Sequence, residues 1–323
     1  MELIEINKFN FSNSHRRWNI QNQGDNMTSL SRKTKIRNEV NGTLFTAAPV
    51  IGIIIFTFIP LIMAVMMSFM KMDSMNFENA SFFDFSELFT NYKKVFTDPY
   101  FWKAFKNNAI LFLELPISII ISVVIAELLS KKVRFTKAFK VLLFIPYVCS
   151  VTATTFMWNW LLDGNYGLVN KILGIDIQWF ANEKYFVWAI LIMGLWSTSG
   201  YRILLFTAAI TNVNNSLKEA AKIDGASPIK VFFNVTIPSI TPTIFYVLVM
   251  GMIGIFQEFT RIQVINNTGN KCMTVVFYIY NAAFAGTPDM GVACAASMIL
   301  AILIFILTKL NFTFSKKWVN YDV

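Results

Sequence analysis

Ionisable side chains are rare inside the long apolar runs of this sequence, so the few that occur there are the first candidates for chemistry. Glu114 stands early in one such run, one residue before Leu115-Pro116, and Gln257, Glu258 and Arg261 stand near the end of another. A charge held at membrane depth is costly and marks a candidate functional position. Pro116 frees backbone groups and is a candidate bend. Glu258 and Arg261 are three residues apart, the spacing at which two side chains meet on one helix face. Either the two form a local ion pair with the arginine snorkelling outward, or Gln257 and Glu258 face a polar path. Aromatic rings add a second kind of chemistry. Trp196 and Tyr201 flank Ser197-Thr198-Ser199-Gly200, and Asn159 lies between Trp158 and Trp160. Such groups can stack on or hydrogen-bond a polyhydroxylated solute, although tryptophan near a span end, as at Trp158 and Trp160, is more often an interfacial anchor.

Other chemistries find little support. No glycine is followed by lysine, so the chain has no Gly-x4-Gly-Lys-Ser/Thr loop to wrap a nucleotide phosphate. Cys149, Cys272 and Cys294 are widely separated, and His15 is the one histidine. Neither a metal centre nor a disulfide framework is expected from that pattern. Without clustered His, Asp or Glu inside the spans, a membrane-embedded enzyme is disfavoured. The net charge of +9 comes from short basic clusters between apolar runs. It fits membrane topology and not nucleic-acid binding.

The elements that must position these residues are membrane helices. Of 323 residues, 55% are hydrophobic and 15% charged, against roughly a quarter charged in soluble domains, and the mean hydropathy is +0.52. The apolar runs cover residues 44–69, 108–129, 141–162, 186–207, 241–265 and 290–310. Each is long enough for a hydrocarbon core of about 30 Å. The expected fold is therefore an all-α integral membrane protein with about six spanning helices. The connection 130–140 carries Lys131, Lys132, Arg134, Lys137 and Lys140 with no acid, and the tail carries Lys309, Lys316 and Lys317. The positive-inside rule then places both termini in the cytoplasm. On this scheme residues 1–43 are a cytoplasmic segment, 44–69 the first span, 70–104 an external loop and 313–323 a cytoplasmic tail. Residues 1–26 lack apolar periodicity, and Met27 followed by a short basic lead-in reads as a candidate start. N-terminal sequencing of the native protein would decide that point.

Between the fourth and fifth spans lies the most punctuated stretch, residues 215–243. Ser216 with Glu219 three residues on is a capping-box pattern that predicts a helix start. Leu217, Ala220, Ala221 and Asp224 share one face of that helix. Gly225 suits a left-handed helix end. Ser227-Pro228 starts a second helix that should stop before Pro238. The result is a helix, a glycine corner and a second helix, with two adjacent alanines leaving room for another surface to approach the backbone.

At these residues the sequence resembles a known family. Glu219-Ala220-Ala221, then three residues, Gly225, nine residues, Val235, one residue and Ile237-Pro238 resemble the EAA signature of binding-protein-dependent ABC importer permeases. The family usually has Ile and Leu at the positions of Val235 and Ile237. Phe105 to Ala109, Phe144-Ile145-Pro146, Trp158-Asn159-Trp160, Tyr166 to Asn170 and Trp196 through Gly200-Tyr201 resemble further stretches, so the likeness covers residues 105–312. It is nearest the carbohydrate-type permeases of the maltose and glycerol-phosphate branch. Two stretches depart from that branch: Val213-Asn214-Asn215 replaces an Ile-Pro turn, and Asn267 to Lys271 replaces a Thr-x-Gly-Gly-Pro run.

The resemblance implies a transport subunit, not an enzyme, in a prokaryotic plasma (inner) membrane, importing a sugar or oligosaccharide. Glu219, Ala220, Ala221, Asp224, Gly225 and Pro238 would couple it to a cytoplasmic ABC ATPase dimer, which would hold ATP-Mg. No cofactor is expected on this chain itself. A second related permease subunit, an extracytoplasmic solute-binding protein and the lipid bilayer are the implied partners, and Trp196, Tyr201, Gln257, Glu258 and Asn159 are candidates for the solute path. The competing reading is a secondary carrier or channel. It predicts inverted halves with matching broken helices, a repeat the sequence does not display.

Overall fold

The computed structural model of the chain describes residues 34, 37–70, 89–131, 135–265 and 274–320. The candidate start at Met27, His15, Cys272, part of the 70–104 loop, the Asn267 to Lys271 stretch, and Lys132 and Arg134 lie outside the described residues. Among the described residues all regular structure is helical. Five helices are long and apolar enough to cross a membrane, and a bent pair makes a sixth if counted as one span.

The chain divides into two units, residues 1–64 and 65–323. Helix α1, Arg37–Ser68, begins in the first, and none of its most apolar window is buried. A helix that is apolar all round and uncovered is suited to lipid contact.

In the second unit, α2 (Thr90–Thr97) precedes α3 (Pro99–Ser130). Alternate spans begin with a capped turn. Asp98 accepts from the Tyr100 amide at 2.8 Å ahead of α3, and Asn182 accepts from Lys184 at 2.9 Å ahead of α7 (Glu183–Asn212). Asp289 accepts from Val292 at 3.0 Å ahead of α12 (Met290–Ser315). Each cap satisfies an amide that the helix cannot. Ion pairs tie these starts together at one end of the unit, Lys103 to Glu183 at 2.6 Å and Lys94 to Asp289 at 2.9 Å.

Three expected spans are interrupted. Within α3 the helix yields to a turn at Phe112–Leu113. Phe112 is four residues before Pro116, and its carbonyl is the one that the proline ring displaces. The expected span 141–162 is two helices, α4 (Thr136–Val148) and α5 (Val151–Leu161), bent by 97°. Pro146 weakens the last turn of α4, and Cys149 and Ser150 take extended backbone before α5 starts. The expected span 241–265 is helix α10 (Thr241–Ile265), broken at Gln257 to Phe259. Polar side chains satisfy the carbonyls freed there. Asn108 donates to the Ile255 carbonyl at 3.2 Å, and Thr274 donates to the Glu258 carbonyl at 2.8 Å. Irregular backbone at membrane depth requires such partners. Three short helices complete the described set outside residues 213–240: α2, α6 (Leu168–Leu173) and α11 (Val275–Phe284).

The second half of α3 packs along α7 more extensively than any other helix pair. Small polar residues allow the approach: Ser118 Oγ lies 3.3 Å from Ser199 Oγ, and Ser122 donates to the Ser199 carbonyl at 3.4 Å. Small residues at a helix crossing let backbones come close where lipid supplies no hydrophobic drive. Two apolar clusters form around this crossing. One gathers Leu115, Met193, Met252 and Ile255; the other gathers Val123, Phe206, Ile210 and Val247. Along α3 and α7, buried Ser118, Ser122 and Arg202 fall between them.

Candidate functional site

The helix–corner–helix between α7 and α10 has the expected form with two differences. Helix α8 is Asn215–Ile223, and its cap is Asn214, whose Oδ1 accepts from the Ser216 amide at 3.0 Å and the Ser216 hydroxyl at 2.9 Å. Ser216 therefore lies inside the first turn, and no Ser216–Glu219 capping box forms. Asparagine is as good a cap as serine, and here it stands two positions earlier. At the other end the Gly225 amide donates to Lys222 at 3.0 Å and the Ala226 amide to Ala221 at 2.9 Å, with Gly225 at φ +78°. That pair of bonds is a Schellman ending, which requires a left-handed residue at the glycine position.

Helix α9 occupies residues 228–239. Ser227 caps it, its hydroxyl accepting from the Lys230 amide at 3.4 Å, and Pro228 fills the first turn. The helix runs through Pro238 to Ser239 instead of stopping before it. The reason is a π-helical turn at Phe232–Thr236, in which the Ile237 amide reaches back to the Phe232 carbonyl. The widened turn changes the bonding register ahead of the missing proline donor.

This loop is anchored at its base and open at its tip. Val213 and Ile240 are buried in the second apolar cluster, with Phe232 and Ile237 packed against it. Lys218 Nζ donates to the Ile210 carbonyl at the end of α7, at 3.1 Å. By contrast, Glu219, Ala220, Asp224 and Gly225 are exposed, and Ala221 and Pro238 are half-buried. Ile223 is 86% exposed, with Ile229 and Phe233 also uncovered. Apolar side chains presented on a rigid, polar-flanked corner mark an interaction surface.

The second site is a cavity of about 360 Å³ among α3, α4, α7 and α10. Glu114 lines it, 4% exposed. Its Oε1 accepts from the Thr198 hydroxyl at 2.9 Å and lies 3.7 Å from Arg202 Nη1, while its Oε2 lies 4.0 Å from Arg261 Nη1. Glu258 pairs with Arg261 at 3.1 Å, and Arg261 Nη2 also donates to Ser197 Oγ at 3.2 Å. The local Glu258–Arg261 pair is thus present, but Arg261 is buried and turned inward to Glu114 instead of snorkelling outward. Mutual pairing is how charges persist at such depth. Gly194 makes the arrangement fit, because a Cβ there would occupy the place of the Glu114 carboxylate. On the cavity's other side, the rings of Tyr147 and Tyr201 stack with centroids 4.9 Å apart, and Tyr201 hydrogen-bonds Tyr246.

Of the residues expected on a solute path, Tyr201 and Glu258 line this cavity. Trp196, Gln257 and Asn159 do not. Trp196 packs edge-on against Trp158 at 5.7 Å, Gln257 ends the first part of α10, and Asn159 is exposed on α5. Sequence reasoning overlooked Arg202, Tyr147 and Tyr246. Arg202 carried a usable signal, since it is a charged residue inside the apolar run 186–207.

Residues 114–320 match the family described as binding-protein-dependent transport system inner membrane component. The chain belongs to this family. The match takes in the cavity, the α8–α9 corner and α12. Among relatives of this permease, the lactose transport system permease protein LacF of Rhizobium radiobacter is 30% identical over 298 residues, covering 88% of this chain and 98% of that protein. The sn-glycerol-3-phosphate transport system permease protein UgpA of Pectobacterium atrosepticum is 29% identical over 72% of this chain and 81% of its own length. The probable ABC transporter permease protein YesP of Bacillus subtilis is 28% identical over 93% and 98%. The permease fold also matches a chain of a bacterial ABC transporter involved in the import of alginate. That likeness has a TM-score of 0.67 at 20% identity, covering 88% of this chain and all of that one. A second structure of a bacterial alginate transporter, in complex with a pentasaccharide-bound periplasmic protein, gives a TM-score of 0.70 at 21% identity.

Proposed function

We propose that the chain is one transmembrane subunit of an ATP-driven, binding-protein-dependent importer of a sugar or oligosaccharide. The observation that carries this reading is the α8–Gly225–α9 corner, fixed at its base and presenting Ala220, Ile223 and Phe233 outward, within a chain of the permease family. Relatives named for lactose and glycerol phosphate transport favour a small hydroxylated solute.

In this reading the bent α4–α5 pair counts as one span, giving six, with both termini in the cytoplasm. Residues 1–43 and 313–323 lie inside and 70–104 outside, while the permease domain proper covers 105–312. The basic residues Lys131, Lys137, Lys140, Lys316 and Lys317 then face the cytoplasm, as the positive-inside rule asks. The corner meets a separate ATPase dimer that holds ATP-Mg. A second permease completes the channel, and a binding protein delivers solute from outside.

Glu219, Ala220, Ala221, Asp224 and Gly225 form the contact, and Pro238 closes the second helix behind it. ATP must favour one arrangement of the spans through differential contacts, or it would shift nothing. The buried attachment of Val213 and Ile240 gives a route from the corner to α7 and α10. The solute path passes Tyr201 and Glu258.

Affinity purification of the tagged chain from its own membranes tests the contact. An ATPase subunit should co-purify with the wild type and be lost with Ala220→Trp, which places a bulky ring on an exposed position and leaves the fold intact. Equal recovery of the ATPase with the variant would reject this docking face.

A further inference from the structure

We propose that the cavity beside Glu114 seats an uncharged sugar and discriminates against acidic or phosphorylated ones. The proposal rests on the reading of this cavity as the solute path. Its wall cancels its own charge: Glu114 and Glu258 stand against Arg202 and Arg261, and no other Asp, Glu, Lys, Arg or His lines it among the described residues. The remaining ionisable groups there are the hydroxyls of Tyr147, Tyr201 and Tyr246.

Charge cancellation here is not the same as hydrogen-bond saturation. Arg261 is held by Glu258 at 3.1 Å and by Ser197 at 3.2 Å. Arg202 is held by neither. Its nearest acid is Glu114, 3.7 Å from Nη1, which is beyond hydrogen-bond reach. That Nη1 makes no hydrogen bond, although the side chain is only 7% exposed. A guanidinium is a donor with no acceptor capacity, so the group it lacks is an oxygen acceptor.

The identity of that acceptor follows from what each solute would displace. A carboxylate or phosphate on Arg202 would compete with Glu114 and would lie beside it and Glu258. A buried acid deprived of its cation is strongly unfavourable. A hydroxyl oxygen accepts from Nη1 without disturbing the Glu114 pairs. The stacked Tyr147 and Tyr201 rings supply an apolar face, and their hydroxyls, with that of Tyr246, can both donate and accept. A cavity of about 360 Å³ is near the small end of ligand sites, which suits a short sugar rather than a long chain. The same reasoning assigns Glu114 a specificity role: it withholds two arginines from anions.

Equilibrium binding on the full-length chain in lipid nanodiscs tests this, with lactose as the neutral probe and digalacturonate as an acidic probe of similar size. The wild type should retain lactose at least tenfold better. Glu114→Gln, which keeps the shape and removes the charge, should raise digalacturonate retention at least tenfold. Glu258→Gln, nearer the rim, should raise it less. Equal or better retention of digalacturonate by the wild type would overturn the neutral seat and leave the solute path standing. Retention of neither sugar would contradict the path itself, and the proposal with it. The wild-type comparison needs no variant, so a Glu114→Gln chain that fails to fold does not spare the proposal.

Discussion

The polar cavity and the α8–α9 corner both concentrate charge, and they hold it in opposite ways. In the cavity, Glu114, Arg202, Arg261 and Glu258 arrive from three different spans and cancel one another's charge, leaving one guanidinium nitrogen without a hydrogen bond. On the corner, Glu219 and Asp224 stand in the open beside exposed Ile223, and the order comes from backbone capping by Asn214, Gly225 and Ser227. The first region is held by what it buries, and the second by how its chain turns. One is suited to a solute that must shed water, the other to a protein that arrives with its own surface.

The largest effect should come from breaking the buried set. Glu114→Ala leaves Arg202 and Arg261 facing each other without their shared acid, and removing one partner of a buried pair costs about 3–5 kcal/mol. Thermal unfolding in detergent should show a large loss of stability. A small shift would mean that water already screens the cluster. The corner should respond differently. Gly225→Val forces a β-branched residue into left-handed backbone, at about 1–2 kcal/mol, yet the spans should stay folded. The expected outcome is a protein that inserts normally while the ATPase activity of the assembled complex no longer responds to solute. Unchanged coupling would count heavily against the corner as a lever. The smallest effect separates two neighbours. Asn214→Ala should cost about 1 kcal/mol of local helix stability, while Ser216→Ala should be nearly silent, read by hydrogen exchange across α8. The reverse order would restore Ser216 as the cap.

The same contrast explains what could be read from the sequence. The corner was legible because its determinants are local: a cap, a glycine and a proline within residues 214–238 act on their own neighbours. Even there the Ser216–Glu219 pattern points to the wrong cap, since Asn214 holds that place, and the π-helical turn that carries the chain past Pro238 leaves no composition signal. Most of the span positions were legible from apolar runs. The breaks were not, because a run such as 241–265 reads the same whether its helix is straight or interrupted at Gln257, and the partners that permit the interruption, Asn108 and Thr274, come from elsewhere in the chain. Glu114 was recognisable as unusual, but its partners depend on how α3, α7 and α10 pack. Gly194, which lets the carboxylate lodge, looks in sequence like any small residue in a span.

Transport in sealed vesicles tests the central claim most directly. With the full chain reconstituted alongside the proposed second permease and binding protein, solute should accumulate only when the proposed ATPase and ATP are both present on the corner's side. Accumulation by the membrane subunits alone, driven by an ion gradient and without any ATPase, would contradict the account.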